Sequence, residues 1–220
     1  MNTFTTDEAV LPTRGGDWYD GGLWQDVFLH KWGTKNDLVK GSWDYLYRVI
    51  AQANKSLDKL NEILAKDPEN TSVPKYISEV RAFRALYYYY LLDMFARVPL
   101  VTSSTTAMAD VEQSERSVVF TFVKTELEES VADLSDAHSN LPGEYYGRIT
   151  KPVAYFLLAK LALNAEIYTD DNWTDGSKPD GKTIKFTVDG AEKNAWEATI
   201  AYGTKIKELG YQLACLLYTS

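Results

Sequence analysis

The stretch EVRAFRALYYYYLLDMFARVPLVT, Glu79–Thr102, decides the fold of this chain. It predicts a helix from about Pro74 to Arg97, because its apolar residues recur at steps of three and four. Four consecutive tyrosines, Tyr87–Tyr90, cover every direction around the helix axis, so we expect this helix to have neighbours on most sides. Pro99 disfavours helix at the residue before it, which predicts extended chain from Val98 onward.

Four further helical patterns surround this one. Asn54 interrupts the apolar stripe of the first, and we expect its amide to bond to a neighbouring backbone group. Ser117 and Thr150 are the predicted N-caps of two of these helices, and Trp196 and Ile200 lie on the apolar stripe of the last. The predicted helices run from about Ser42 to Asp67, from Ser117 to the break at Asn140–Gly143, from Thr150 to Tyr168 and from Asn194 to Leu209.

With no convincing sheet, the fold class is all-α, an irregular antiparallel helical array with tetratricopeptide-like helix pairs and long loops. The strict signature of the tetratricopeptide repeat is missing, so an irregular helical domain without repeats fits the periodicity equally well.

The opening loop TRGGDWYDGGLW, Thr13–Trp24, places large rings on a backbone with four glycines. Glycine allows positive φ, so two glycine pairs indicate a loop rather than a helix or strand. The rings either plug the end of a core or form a platform for a ligand. In the second case Arg14, Asp17 and Asp20 would supply hydrogen bonds beside Trp18 and Trp24.

Bulk composition narrows the function classes. Asp and Glu number 31 against 23 Lys and Arg, giving a formal charge of −8, and no positive field is present to attract nucleic acid. One cysteine, Cys215, provides neither a disulfide frame nor a cysteine metal cluster. No apolar run reaches the length of a membrane span, and the residues after Met1 lack the pattern of a secretory signal.

Motifs for catalysis are missing, including G-x-S-x-G, the P-loop and H-E-x-x-H. His30 and His138 have no recognisable partners, and we interpret them as structural or solvent-exposed. Asp17 and Asp20 would make a glycosidase pair only at a suitable separation, which a sequence does not give. The segment Asp170–Gly176 resembles a calcium loop but fails the EF-hand pattern, and a solvated turn fits it better. We predict no catalytic residue, no metal ligand and no cofactor.

Four blocks of the sequence together resemble the SusD/RagB family. Glu79–Thr102 is similar to the family's signature helix, and YGRITKPVAYFLLAKLALNAEIYT, Tyr146–Thr169, to a second conserved helix. Trp43, Tyr47, Ile50 and Asn54 follow the spacing of a third block, and RGGDWYDGG resembles the loop that precedes it. The blocks occur in the family's order and cover roughly residues 7–213.

The resemblance implies a glycan- or nutrient-binding lipoprotein on the outer face of the outer membrane in Bacteroidota, without enzymatic activity. Such proteins deliver ligand to a SusC-type TonB-dependent transporter and hold sugars against aromatic rings. Because part of the family's site precedes the first conserved helix, the resemblance implies a ligand role for Arg14, Asp17, Trp18, Asp20, Trp24 and Trp32. Trp43 and Tyr87–Tyr90 are expected to pack in the core.

The chain departs from the family's pattern in length and at both ends. Members are longer, so we expect residues 1–213 to be the N-terminal and central helical region of an incomplete domain. Residues 214–220 look unlike the family's continuation and are expected to be a truncated or non-native tail. The lipid anchor and signal of the family are not found in this sequence. The alternative function is a helical-repeat scaffold that binds only protein, and an enzyme ranks third.

Overall fold

A computed structural model of the chain describes residues 2–212. The expected tail at 214–220, with Cys215, lies outside these residues. The chain divides into two compact units, one ending at Ile50 and the other beginning at Ala51. Each described helix is too short or too polar to serve as a membrane span. The helices are α1 (Leu23–Phe28), α2 (Asp37–Lys66), α3 (Val73–Phe95), α4 (Arg116–Ser130), α5 (Lys151–Leu163), α6 (Ala165–Tyr168) and α7 (Ala195–Glu208).

Helices dominate the chain, which confirms the predicted all-α class. Helices α3 and α4 form an antiparallel pair, since Arg81 contacts Glu129 near one end and Tyr88 meets Phe122 nearer the other. Between these contacts Glu126 accepts hydrogen bonds from both Arg81 and Arg84. The pairing therefore combines apolar burial with a buried ionic bridge.

The prediction of no sheet is wrong in detail, because two small antiparallel strand pairs are present. Strand β1 (Val98–Pro99) pairs with β2 (Gln113–Ser114), and β3 (Lys185–Val188) pairs with β4 (Ala191–Asn194). The second pair turns at Asp189-Gly190, where both residues have positive φ, as a tight hairpin requires. The sequence predicted a loop from Tyr168 to Val188, and β3 occupies the end of that segment.

Two predicted helix starts need correction. Helix α2 begins at Asp37 rather than near Ser42, because the Asn36 side chain accepts hydrogen bonds from the amides of Leu38 and Val39. Ser117 is not the N-cap of α4 but lies inside the helix, and Glu115 occupies the cap position without a side-chain bond.

Asp171, distant in sequence, supplies the missing cap of α4. Its carboxylate accepts from the Ser117 amide at 2.9 Å and from the Ser117 hydroxyl at 2.5 Å. Arg97 donates to the Asp171 carbonyl at 2.7 Å and so anchors the same loop. A side chain from the loop between α6 and β3 thus accepts hydrogen bonds from the first turn of α4.

The predicted helix from Thr150 to Tyr168 is divided at Asn164 into α5 and α6, but its predicted face is buried, and Thr150 and Pro152 occupy the N-cap and first turn of α5. Helix α7 differs from the prediction, because Ile200 is 71% exposed and Trp196 is 37% exposed. Its buried face consists of Ala195, Ala198 and Tyr202. Small side chains allow helices to approach closely, so they displace the larger ones to the outer face.

The remaining core predictions hold in part. Asn54 donates to the Val101 carbonyl at 2.8 Å, which confirms its expected bond to backbone. Tyr88 and Tyr89 are buried, whereas Tyr90 is exposed, so the tyrosine run packs on most sides but not on all. Trp43 is only half-buried and lies 4.8 Å from the Tyr47 ring, so its assignment to the core is not fully met.

Candidate functional site: the opening aromatic loop

The opening loop begins with a tight turn. Arg14 and Asp17 exchange backbone hydrogen bonds of 3.3 and 3.1 Å across the intervening Gly15-Gly16. Gly15 has a φ of +64°, a conformation that glycine adopts without steric cost. The turn therefore fixes the spacing between the predicted arginine and the first predicted aspartate.

Trp18 and Asp20 both adopt the left-handed backbone region, with φ values of 60° and 44°. This conformation is uncommon for residues with a Cβ and costs about 1–3 kcal/mol each. Gly21 and Gly22 continue with positive φ and lead directly into α1. Strained backbone conformations cluster at binding sites, and here they occur at two of the predicted ligand residues.

Three aromatic rings cluster at the centre of the loop. The Trp24 ring lies 5.1 Å from Phe4 and 6.3 Å from Trp18, in edge-to-face geometry in both cases. The Trp24 indole N–H donates to the Asp20 carboxylate at 2.7 Å. This bond fixes the Trp24 ring and orients Asp20 together with it.

Trp32 belongs to a neighbouring contact rather than to this cluster. Its ring packs edge-on against His30, at 5.3 Å between centroids. The His30 ring in turn bonds through Nε2 to the Thr5 carbonyl at 2.7 Å. Because Phe4 packs on Trp24, the short 3₁₀ turn Asn2–Thr5 connects the two aromatic groups.

A polar recess of about 280 Å³ lies beside the rings, and Asp20 belongs to both features. Its walls come from a second 3₁₀ turn, Asp20–Gly22, from α1 and from the segment that leads into α2. Carboxylate, amide and ammonium groups predominate among them, which suits a ligand with many hydroxyls. The lining residues are Asp20, Gly21, Leu23, Asp26, Gly33, Lys35, Asn36 and Asp37.

The tryptophan rings of this region differ in how much of each side chain is exposed to solvent. Trp18 is 56% exposed and Trp32 is 36% exposed, while Trp24 is half-buried and supports its neighbours. Tyr19 of the same loop is 55% exposed but is not among the predicted site residues. No motif in the sequence indicated that Phe4 belongs to the site, because only folding brings its ring to Trp24.

The structure thus groups the six predicted residues into three sets. Trp18, Asp20 and Trp24 contact one another directly, Arg14 and Asp17 pair through their backbones, and Trp32 contacts His30. The arrangement offers an exposed ring, oriented carboxylates and a polar recess within the unit that ends at Ile50.

The acidic loop Asp170–Gly176 has its carboxylates committed to the protein. Asp170 and Asp175 accept from the amides of Asn172 and Ser177, and Asp171 caps α4. Over residues 2–212 no group of three or more His, Cys, Asp or Glu side chains is placed to hold a metal ion.

Solved structures identify the class of protein first. A SusD superfamily protein from Parabacteroides distasonis matches 93% of this chain and 37% of its own, with a TM-score of 0.67 and 20% identity. A laminarin-binding SusD-like protein matches 69% of this chain and 32% of its own, with a TM-score of 0.57 and 27% identity. The fold is therefore that of the SusD-like proteins.

The sequence then gives the family. Residues 2–163 match the SusD-like family described as starch-binding, associating with outer membrane. The chain belongs to this family, which confirms the resemblance found in the sequence blocks.

Two curated relatives agree with this assignment. The starch-binding protein SusD of Bacteroides thetaiotaomicron is 30% identical over 92 residues, covering 42% of this chain and 16% of the relative. A SusD-like protein of Bacteroides ovatus is 22% identical over 169 residues, covering 76% and 29%. The chain thus spans less than a third of the length of these relatives.

Proposed function

We propose that this chain binds a glycan through its opening aromatic loop, as part of a nutrient-uptake protein of the outer membrane. The observation that carries the proposal is the exposed Trp18 ring, held edge-on against Trp24, whose indole is bonded to Asp20. Family membership and the names of two relatives, which bind starch and laminarin, support the same ligand class.

The chemistry of a sugar fits this arrangement. A pyranose has an apolar face of C–H groups that packs on an aromatic ring, and hydroxyl edges that bond to carboxylates and cations. Trp18 supplies the ring, and Asp20 lies at the edge of the polar recess. Arg14 and Asp17, fixed by their turn, are placed on the same loop to bond further hydroxyls.

For the intact protein, the proposal also includes a location on the outer face of the outer membrane and delivery of the ligand to a SusC-type TonB-dependent transporter. The family description supports association with the outer membrane, and the sequence resemblance supports the transporter as partner. Co-purification of the intact protein with such a transporter tests this part separately from ligand binding.

The direct test is a tryptophan fluorescence titration of the chain with maltoheptaose and, separately, laminarihexaose. We expect a saturable change with at least one glycan. Trp18→Ala should weaken its binding by about tenfold or more, equal to about 1.4 kcal/mol, because aromatic anchors dominate binding energy. Trp173→Ala is the matched control, since Trp173 is 62% exposed but lies far along the chain, in the second unit.

The alternative functions give different results. A scaffold that binds only protein would show no glycan response yet form a stable complex with a partner protein. An enzyme would release reducing ends from the glycan, and Asp17→Asn or Asp20→Asn would abolish the release. We expect binding without turnover, and unchanged affinity in Trp18→Ala would overturn the assignment of the site.

A further inference from the structure

A second polar pocket lies in the unit that begins at Ala51, at the start of α3. It has a volume of about 530 Å³, within the range of about 300–1,000 Å³ that is typical of small-ligand pockets. Three segments form its walls, namely the first turns of α3, the chain that follows α4, and the loop before α5. Its main side chains are Lys75, Tyr76, Glu79, Asp133, Tyr145 and Arg148.

The walls of this α3 pocket are fixed by contacts between the three segments. Arg148 donates twice to Glu79, from Nη2 at 2.6 Å and from Nε at 3.1 Å, in a bidentate pair. The same guanidinium lies 4.8 Å from the centroid of the Tyr145 ring. The Ser78 hydroxyl of α3 donates to Asp133 at 3.1 Å and so ties the second segment to the first. The polar groups are therefore positioned before any ligand arrives.

The loop before α5 is held in place by its own backbone. Gly147 has a φ of +73° and its amide donates to the Ser139 carbonyl at 2.9 Å. The Arg148 amide donates to the Tyr145 carbonyl at 3.1 Å, which closes the turn. Tyr145 and Arg148 are thus presented by a closed turn.

Two side chains at the mouth of the pocket remain uncommitted. Within residues 2–212 no hydrogen bond or ion pair engages the side chains of Lys75 and Tyr76. Tyr76 is 48% exposed, a large ring left partly in water. An aromatic ring and a free ammonium group beside fixed carboxylates are suited to bind a ligand that has both apolar and hydroxyl surfaces.

The charges of the pocket disfavour an anionic ligand. Arg148 is already paired with Glu79, and Asp133 and Glu144 add two further negative groups to the lining. An anionic ligand would meet these carboxylates with only Lys75 uncommitted. Hydroxyl groups, in contrast, can donate to the carboxylates and accept from lysine.

We infer that the α3 pocket is a second saccharide subsite, which binds one or two neutral sugar units on Tyr76 between Lys75 and the carboxylates. The inference rests on the proposed function for its ligand class, but on different residues in the other unit. Where one long glycan engages both sites, its second contact becomes intramolecular and raises avidity without tight binding at either site.

Backbone amide NMR of the 220-residue chain, titrated with maltose and in a second series with laminaribiose, tests the two sites independently. Shifts in residues 13–32 report on the opening loop, whereas shifts in 72–79, 132–135 and 144–148 report on the α3 pocket. We expect saturable shifts in the pocket set with at least one disaccharide, with an affinity in the millimolar range.

Tyr76→Ala should weaken the pocket affinity about fivefold or more, and Lys75→Ala should weaken it in the same direction. Tyr146→Ala is the control, because Tyr146 is 66% exposed and adjoins the pocket in sequence without lining it. Loop shifts without saturable pocket shifts, or unchanged affinity in Tyr76→Ala, would overturn the inference and leave the proposed function intact. Pocket shifts without loop shifts would instead refute the opening-loop site.

Discussion

Glu126→Ala should be among the most destabilising single changes in this chain. Glu126 and Arg84 have side chains only 8% and 7% exposed, and their closest atoms, Oε2 and Nη2, are 2.5 Å apart. Removing the carboxylate leaves the Arg84 charge buried without its counter-ion, a loss that typically costs about 3–5 kcal/mol. Arg84 keeps two neutral acceptors, Asn54 Oδ1 at 2.8 Å and the Thr102 carbonyl at 2.9 Å. We therefore expect a loss near the lower end, about 3 kcal/mol.

Urea unfolding of the chain, followed by far-UV circular dichroism, measures this loss. With a slope of about 2–3 kcal/mol per molar urea, the midpoint should fall by about 1–1.5 M while the slope stays constant. Glu62→Ala is the control, because its ion pair with Lys59 is exposed on both sides and its removal should leave the midpoint unchanged.

A double variant separates the charge from the packing. Arg84→Met with Glu126→Leu removes both charges and should recover much of the lost stability. Recovery should stay incomplete, since the buried Asn54 amide oxygen loses its donor at a cost of about 1–3 kcal/mol. A loss below about 1 kcal/mol in Glu126→Ala would show that water reaches the pair, and the reasoning would fail.

Two further predictions concern close packing and pH. Gly181→Ala places a Cβ 2.6 Å from the Trp196 indole, so we expect a loss of about 1 kcal/mol and a shift in tryptophan emission. Gly203→Ala meets no atom within 4 Å and should instead stabilise α7 by about 0.5–1 kcal/mol, and equal effects on urea midpoints would contradict this contrast. Burial raises the pKa of Tyr88 from 10.0 to about 12. Its neutral form is favoured by folding, so this contribution of about 2–3 kcal/mol is complete below pH 10 and is lost as pH rises through 12. Tyr88→Phe should flatten the decline of stability over this range, and an unchanged pH profile of the urea midpoint would exclude Tyr88 as its source.

Sequence reasoning located the opening loop but not its contacts. The glycine pairs indicated positive φ, and Gly15, Gly21 and Gly22 have it. The strained backbone of Trp18 and Asp20 was not readable, because residues with a Cβ adopt such φ only when their surroundings impose it. The ring of Phe4 reaches Trp24 only through folding of the preceding segment.

The hairpin of β3 and β4 was missed although a signal was present. Asp189-Gly190 is a favoured two-residue hairpin turn, and Phe186 and Val188 alternate with exposed residues before it. The α3 pocket, by contrast, had no local signal, since its first wall, 72–79, lies more than 50 residues before the other two, 132–135 and 144–148. Only the pairing of α3 with α4 brings Tyr76 close to Asp133 and Tyr145.

The sequence by itself determined the five longer helical segments but not all of their ends, together with the buried face of α5 and the family of the chain, because these depend on local periodicity and on residue order. Tertiary structure alone decided that α7 buries Ala195 and Ala198 while Ile200 remains exposed, since the closeness of helix packing selects small side chains. It also decided that Asp171 caps α4 from 54 residues away. Periodicity shows how apolar a helix face is. It does not show which face packs against a neighbouring helix, or which distant carboxylate caps a helix end. These depend on contacts that form only when the whole chain packs.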